Sequence, residues 1–135
     1  MRCPFCLIAA HRAPAAIVYE DEEFIAFMDK NPASEGHLLV APKAHYETIM
    51  DMDPELVGRL FQLVARLCRA VWAAVKPDGL NVLQNNGLAA WQSIPHVHVH
   101  IIPRCHGDPI AVQWPARPAD LAELEEVAKR IREAL

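Results

Sequence analysis

An α+β domain built on an antiparallel sheet is the fold class that this sequence predicts. Three observations carry it. A long amphipathic helix follows Asp53-Pro54, five short apolar segments of strand length surround it, and brief turns join them. With 135 residues, 53% of them hydrophobic and 22% charged, the chain fills one core and leaves no room for a second. No internal repeat and no low-complexity linker divides it.

The elements follow in order. Residues 16–20 (Ala-Ile-Val-Tyr-Glu) and 23–28 (Glu-Phe-Ile-Ala-Phe-Met) read as two short strands, and Asp21-Glu22 between them suits a hairpin turn. Residues 37–41 (His-Leu-Leu-Val-Ala) form a third strand, which Pro42 stops. Asp53 then N-caps the long helix. Pro54 fits its first position, where a missing N–H has no helical partner to lose. Val57, Leu60, Phe61, Val64, Leu67, Cys68, Val71 and Val75 make the apolar stripe, and Lys76-Pro77-Asp78-Gly79 ends it. Residues 80–84 (Leu-Asn-Val-Leu-Gln) form a fourth strand that runs into Asn85-Asn86-Gly87. Residues 96–102 form a fifth, and residues 119–134 a polar terminal helix that starts near Pro118.

Charge and cysteine usage narrow the function classes. Thirteen basic against seventeen acidic side chains give a net charge of −4. A protein that grips a nucleic-acid backbone is usually basic, so no nucleic-acid partner is expected. A single phosphate-bearing molecule needs only a local positive site and stays open. The first residues lack a long apolar segment and an A-x-A cleavage site, so no signal peptide is expected, and no apolar run approaches the ~20 residues of a membrane span. The expected setting is therefore cytoplasmic, with no membrane partner and with thiols reduced. There Cys3-x-x-Cys6, two sulfurs from one tight turn, reads as a metal or redox pair rather than as half of two disulfides.

The most informative segment is Pro95-His96-Val97-His98-Val99-His100-Ile101-Ile102-Pro103. In a strand alternate side chains share a face. His96, His98 and His100 therefore lie on one side, and Val97, Val99 and Ile101 enter the core on the other. A solvated polar face would be served as well by Thr, Lys or Glu. Two chemical readings remain: a metal site, or nucleophilic and acid/base catalysis, for which a near-neutral pKa suits imidazole. All three rings cannot easily share one ion, because His96 and His100 lie about 13 Å apart at ~3.3 Å per residue. The geometry favours one end for structure and the rest for chemistry.

This His-φ-His-φ-His-φ-φ run, with φ apolar, resembles the signature of the histidine triad superfamily of nucleotide hydrolases and transferases. Cys3-Pro-Phe-Cys6, Phe27-Met-Asp29, Gly36-His37-Leu-Leu-Val-Ala-Pro-Lys-Ala-His45, Asn85-Asn-Gly87 and Gln92-Ser93 extend the resemblance in order and spacing. It covers roughly residues 3–108, leaving 109–135 as a C-terminal extension with its helix. It implies a histidine triad-like fold that dimerises. His98 would be the nucleophile that attacks the α-phosphorus of a nucleotide, leaving a nucleotidyl-histidine that water hydrolyses. His100 and His37 would support it and the phosphate charge. Asn85, Gln92 and Ser93 would contact the phosphate and leaving-group side. Asp29 would accept from the ribose hydroxyls, and Phe5, Ile8 and Phe27 would wall a purine pocket.

For the cysteine pair the resemblance implies a zinc site closed by two distant imidazoles, His45 and His96. Four protein ligands leave no open position, so the zinc would be structural. One departure stands out. The family usually has Gly just before the Gln, and here Trp91 occupies that place, where an indole could crowd or cap the site. Three rival functions follow: nucleotidyl transfer to phosphate or a sugar phosphate, a non-catalytic nucleotide-binding or sensing module, and a zinc-stabilised protein-interaction domain, which would not need His98 or His100 on the strand. Trp114-Pro115 is similar to a C-terminal Trp-Pro that reaches the partner subunit's site in some relatives. Cys68 is expected in the core, Cys105 in a loop, and His11 and His106 at the surface, with no chemistry assigned to either.

Overall fold

The structure, a computed structural model, describes residues 3–135. Its strands are β1 (Ile17–Glu20), β2 (Phe24–Met28), β3 (Leu38–Pro42), β4 (Gly79–Gln84) and β5 (Val99–Arg104). They form one antiparallel sheet in the order β1-β2-β3-β5-β4. The helices are α1 (Pro4–Ala9), α2 (Pro54–Val75) and α3 (Leu121–Ala134). This is the α+β architecture that the segment pattern predicts.

Period-two alternation divides the sheet into two chemistries. Phe24 and Ala26 of β2, Leu38 and Val40 of β3, and Val99 and Ile101 of β5 face α2, where Leu60, Leu63, Val64 and Leu67 close the main core. The opposite face carries Ile25, Phe27 and Leu39 and is covered by Phe5 and Cys3 at α1. The histidines lie on this second face, so α2 builds the core while α1 builds the site. Asp53 caps α2 by accepting from the Glu55 N–H, and Lys76 ends it in the left-handed conformation.

Three expectations need correction. Cys3-x-x-Cys6 is not an isolated tight turn but the first turn of α1. Cys3 is its N-cap, its sulfur accepting from the Cys6 N–H, and Pro4 opens the helix. The fifth strand does not span 96–102: it runs Val99–Arg104, because β3 begins to pair with it only at Val99. His96 and His98 precede that ladder, and the Val97 N–H instead donates to the Tyr46 carbonyl. Pro103 is tolerated inside the strand because it lies beyond the stretch that pairs with β3. Finally, the terminal helix is not polar all round. Leu121, Leu124, Ile131 and Leu135 fall at helical spacing and stand exposed along one stripe.

One glycine position is sterically required. Gly36 precedes His37 at φ +94°, and a Cβ there would meet Val75 Cγ2 at 2.8 Å and Pro103 Cγ at 3.1 Å. The left-handed backbone and close packing together fix how the chain enters β3.

Candidate active site and metal centre

His96, His98 and His100 line up as alternation dictates, but the partner of each ring decides what it can do. The His96 Nε2–H donates to the Pro42 carbonyl at 2.8 Å, which leaves Nδ1 with the lone pair. That Nδ1 lies 3.3 Å from Cys3 Sγ, 3.5 Å from Cys6 Sγ and 3.1 Å from His45 Nδ1; Cys6 Sγ is 3.4 Å from His45 Nδ1. All four ligand atoms fall within 4.8 Å of one another. A tetrahedral ion with Zn–N and Zn–S bonds of ~2.0–2.3 Å has edges of about 3.3–3.8 Å, so the cluster fits one. The Pro42 carbonyl supplies the outer contact that holds a ligating imidazole in its tautomer. Burial, then the neighbouring Cys3 sulfur, pushes the Cys6 thiol up to about 11, so a thiolate here calls for a cation.

Two residues on, the pattern inverts. The His98 Nδ1–H donates to the His96 carbonyl at 2.7 Å, which leaves Nε2 with the lone pair. Burial lowers the His98 pKa, so the ring is neutral at neutral pH. At His37, Nδ1 accepts from the Ala33 N–H at 2.9 Å, so its proton is on Nε2, which donates to His100 Nδ1 at 2.9 Å. That fixes His100 as an Nε2–H donor. Burial, then the neighbouring His98 and His37, drops the His100 pKa to about 4. Desolvation lowers the His37 pKa too, opposed by Asp29, whose Oδ2 is 3.5 Å from His37 Nε2.

Asp29, His37 and His100 also converge as a possible metal cluster. The lone-pair count argues against one. With Nδ1 accepting from the Ala33 N–H, His37 would have to become an imidazolate to offer Nε2 to an ion.

A cavity of about 660 Å³ opens beside this chain of rings, lined mainly by apolar groups. Phe5, Ile8, Phe27, Asp29, Ser93, His98 and His100 all line it. The sequence reading missed the Ala13–Ala16 wall, Leu39 and Ile94. Leu39 was findable, because it shares a strand face with His37.

Three other expected contacts are not on the cavity wall. His37 acts one ring back, through His100. Gln92 is buried and held at both ends of its amide: its Oε1 accepts from the Gly87 N–H and its Nε2 donates to the Glu47 carbonyl. Asn85 does not line the cavity either. Its neighbour Asn86 is the clamp, bonded to Gln84 and to the Ile49 N–H.

Trp91 neither caps nor crowds the cavity. It adopts φ +71°, a backbone that favours glycine, and the residue is 74% exposed. Cys68 packs against the main core and Cys105 is exposed, both as expected. His11 is exposed, as expected, and pairs with Glu20 at 2.7 Å. No described helix is long and apolar enough to cross a membrane.

Comparison with known proteins converges on one family. A family model described as HIT domain matches residues 10–107. The chain is 35% identical over 137 residues to an adenosine 5′-monophosphoramidase of Schizosaccharomyces pombe, spanning 98% of this chain and 100% of that protein. The crystal structure of a HIT family member from Bacillus subtilis superposes with a TM-score of 0.95 at 38% identity, covering 100% of this chain and 98% of the other. A zinc-bound histidine triad family protein from Mycobacterium smegmatis superposes with a TM-score of 0.78 at 35% identity, covering 100% and 99%.

Proposed function

The chain belongs to the HIT domain family, and from that premise we propose that it hydrolyses nucleotides at the α-phosphorus, through a nucleotidyl intermediate on His98. Its substrates are nucleoside phosphoramidates, dinucleoside polyphosphates or related nucleotides, with a purine as the base. The observation that carries this reading is the inverted tautomer. His98 gives its Nδ1 proton to the His96 carbonyl and keeps the Nε2 lone pair, in a neutral ring that lines the cavity.

In this reading Nε2 attacks the α-phosphorus and the bond to the leaving group breaks. Water then attacks the same phosphorus, releasing the mononucleotide and restoring the imidazole. The His100 Nε2–H, set by His37, donates to a phosphate oxygen where charge builds up. The apolar wall of Phe5, Ile8 and Phe27 takes the purine, and Asp29 takes the ribose hydroxyls. Asn85, Gln92 and Ser93 belong to the phosphate and leaving-group side. Gln92 holds Gly87 and Glu47 with one acceptor site and one donor and keeps a second N–H for substrate.

Cys3, Cys6, His45 and His96 hold a zinc ion in this proposal, and its chemistry is that of a closed, four-ligand structural crosslink. The zinc-bound mycobacterial relative supports that choice of metal. A homodimer fits the bare apolar stripe of α3 and the exposed Trp114, which a second copy would cover. A cytoplasmic setting keeps the two thiols reduced.

The test is a panel of adenosine and guanosine phosphoramidates and dinucleoside polyphosphates, with rapid acid quench and mass spectrometry. The expected result is turnover with a nucleotidyl adduct on the peptide that carries His98. Binding of AMP with no turnover across the panel would point to the sensing module instead, and adducts passed to added phosphate would point to the transferase.

A further inference from the structure

Helix α1 belongs to both sites at once. Cys3 and Cys6 present sulfurs to the metal cluster, while Phe5 and Ile8 of the same turns line the cavity. Phe5 is buried, and its ring stands edge-on to three others. These are Phe27 of the cavity wall at 5.3 Å, His98 at 4.9 Å and the metal-cluster residue His96 at 5.8 Å. A helix of six residues does not hold together by itself in water. Its ties are the packing of Phe5 on Ile25, Phe27 and Leu39, an exposed His11–Glu20 pair beyond its end, and the two sulfurs. Of these, the sulfurs and the Phe5 ring both reach His96, the residue whose carbonyl orients His98.

We propose that Phe5 is a positioning residue for His98 and for the wall of the cavity, and that metal occupancy at Cys3, Cys6, His45 and His96 fixes where Phe5 stands. The reading of the cavity as a nucleotide site underlies the ligand arm of this proposal. With an ion in place, the first turn of α1 is locked against His96, and the Phe5 ring is held in its T-shaped contact with the imidazole whose Nδ1–H the His96 carbonyl already holds. Without the ion, the same four groups offer one another only sulfur–nitrogen contacts of 3.3–3.5 Å and a nitrogen pair at 3.1 Å. α1 then loosens, and the wall and the nucleophile lose a common support. Metal supply thereby tunes nucleotide affinity at a distance from the reacting atoms.

The experiment uses four full-length proteins: zinc-loaded wild type, wild type stripped by chelator, Cys6→Ser, and Phe5→Leu loaded with zinc. AMP affinity is read by calorimetry, and amide hydrogen exchange is followed over residues 4–12 and across the sheet. Stripping and Cys6→Ser each weaken AMP binding about tenfold and speed exchange over residues 4–12, with β2 and β3 unchanged. Phe5→Leu keeps one zinc per chain and a cooperative unfolding transition at a somewhat lower midpoint, yet lowers kcat and shifts the NMR signals of the His98 ring.

Stripped protein that binds AMP as tightly as loaded protein, with unchanged exchange over residues 4–12, overturns the proposal. Should stripping unfold the sheet as well, loaded Phe5→Leu decides, and unchanged kcat, AMP affinity and His98 signals overturn it. Should loaded wild type fail to bind AMP at all, the nucleotide reading fails by itself. The exchange comparison and the His98 signals then still decide whether the metal and Phe5 position that ring.

Discussion

His96 and His98 stand two residues apart on one face, and their rings are used in opposite senses. His96 spends Nε2–H on the Pro42 carbonyl and presents Nδ1 to two sulfurs and a second imidazole. His98 spends Nδ1–H on the His96 carbonyl and keeps Nε2. The residue type is the same and the burial similar. What differs is which nitrogen a backbone oxygen claims, and in the proposed function that difference separates a metal ligand from a nucleophile. The lesson is that the local carbonyls, rather than the histidine count, divide the face into a structural end and a chemical end.

The sharpest way to break this division is at its chemical end. His98→Ala removes the Nε2 lone pair and should cut phosphoramidate turnover by about 10⁴-fold or more, with zinc content unchanged. Retained turnover would mean that the two ends are not divided as described. The structural end gives the next largest effect. The pair Cys3→Ser and Cys6→Ser should abolish zinc binding and cost about 4 kcal/mol of stability where free zinc exceeds its Kd a thousandfold. Denaturant unfolding with and without zinc measures that difference. A wild-type midpoint that does not move with zinc would leave the cluster without a structural role.

Much of this division was legible before any coordinates. Alternation alone put His96, His98 and His100 on one face, and chain reach alone kept them from sharing an ion. Resemblance to a family supplied His45 and His37, which no spacing rule would have paired with residues 51 and 63 positions away. The parts that escaped are those where one local pattern suits two structures. Cys-x-x-Cys serves a loop or a helix start equally, and a sulfur N-cap lies outside the Ser, Thr, Asp and Asn rule that marks helix starts. The beginning of β5 depends on where β3 pairs, a long-range fact. Gln92 reads as a ligand contact from its position, but its amide is held by Gly87 and Glu47, whose approach only the folded loop shows. The stripe on α3 was hidden by the charged residues between its members.

The relay behind His100 offers a finer test of the chemical end. His37→Ala removes the donor to His100 Nδ1 and frees that ring to adopt the other tautomer. Turnover should fall about a hundredfold, since a correctly set donor to the phosphate charge is lost, while the zinc stoichiometry stays at one. A change in zinc content instead would show that the two ends of the face are coupled through more than His96.

The smallest expected effect is in pH dependence, and it follows from His100. Burial, with His98 and His37 nearby, holds its folded pKa at about 4, whereas an unfolded imidazole titrates near ~6.5; Asp29 pulls the other way. Below ~6.5 the unfolded chain takes up a proton that the folded site refuses. The contribution of His100 to stability is thus complete above ~6.5 and is lost progressively as the pH falls towards about 4. Wild type should therefore lose thermal stability on acidification through this window, and His100→Asn, which has no proton to refuse, should lose less. Equal slopes in the two proteins would place the proton uptake elsewhere. His98 and His37, whose pKa values burial also lowers, or the metal cluster would then carry the acid sensitivity.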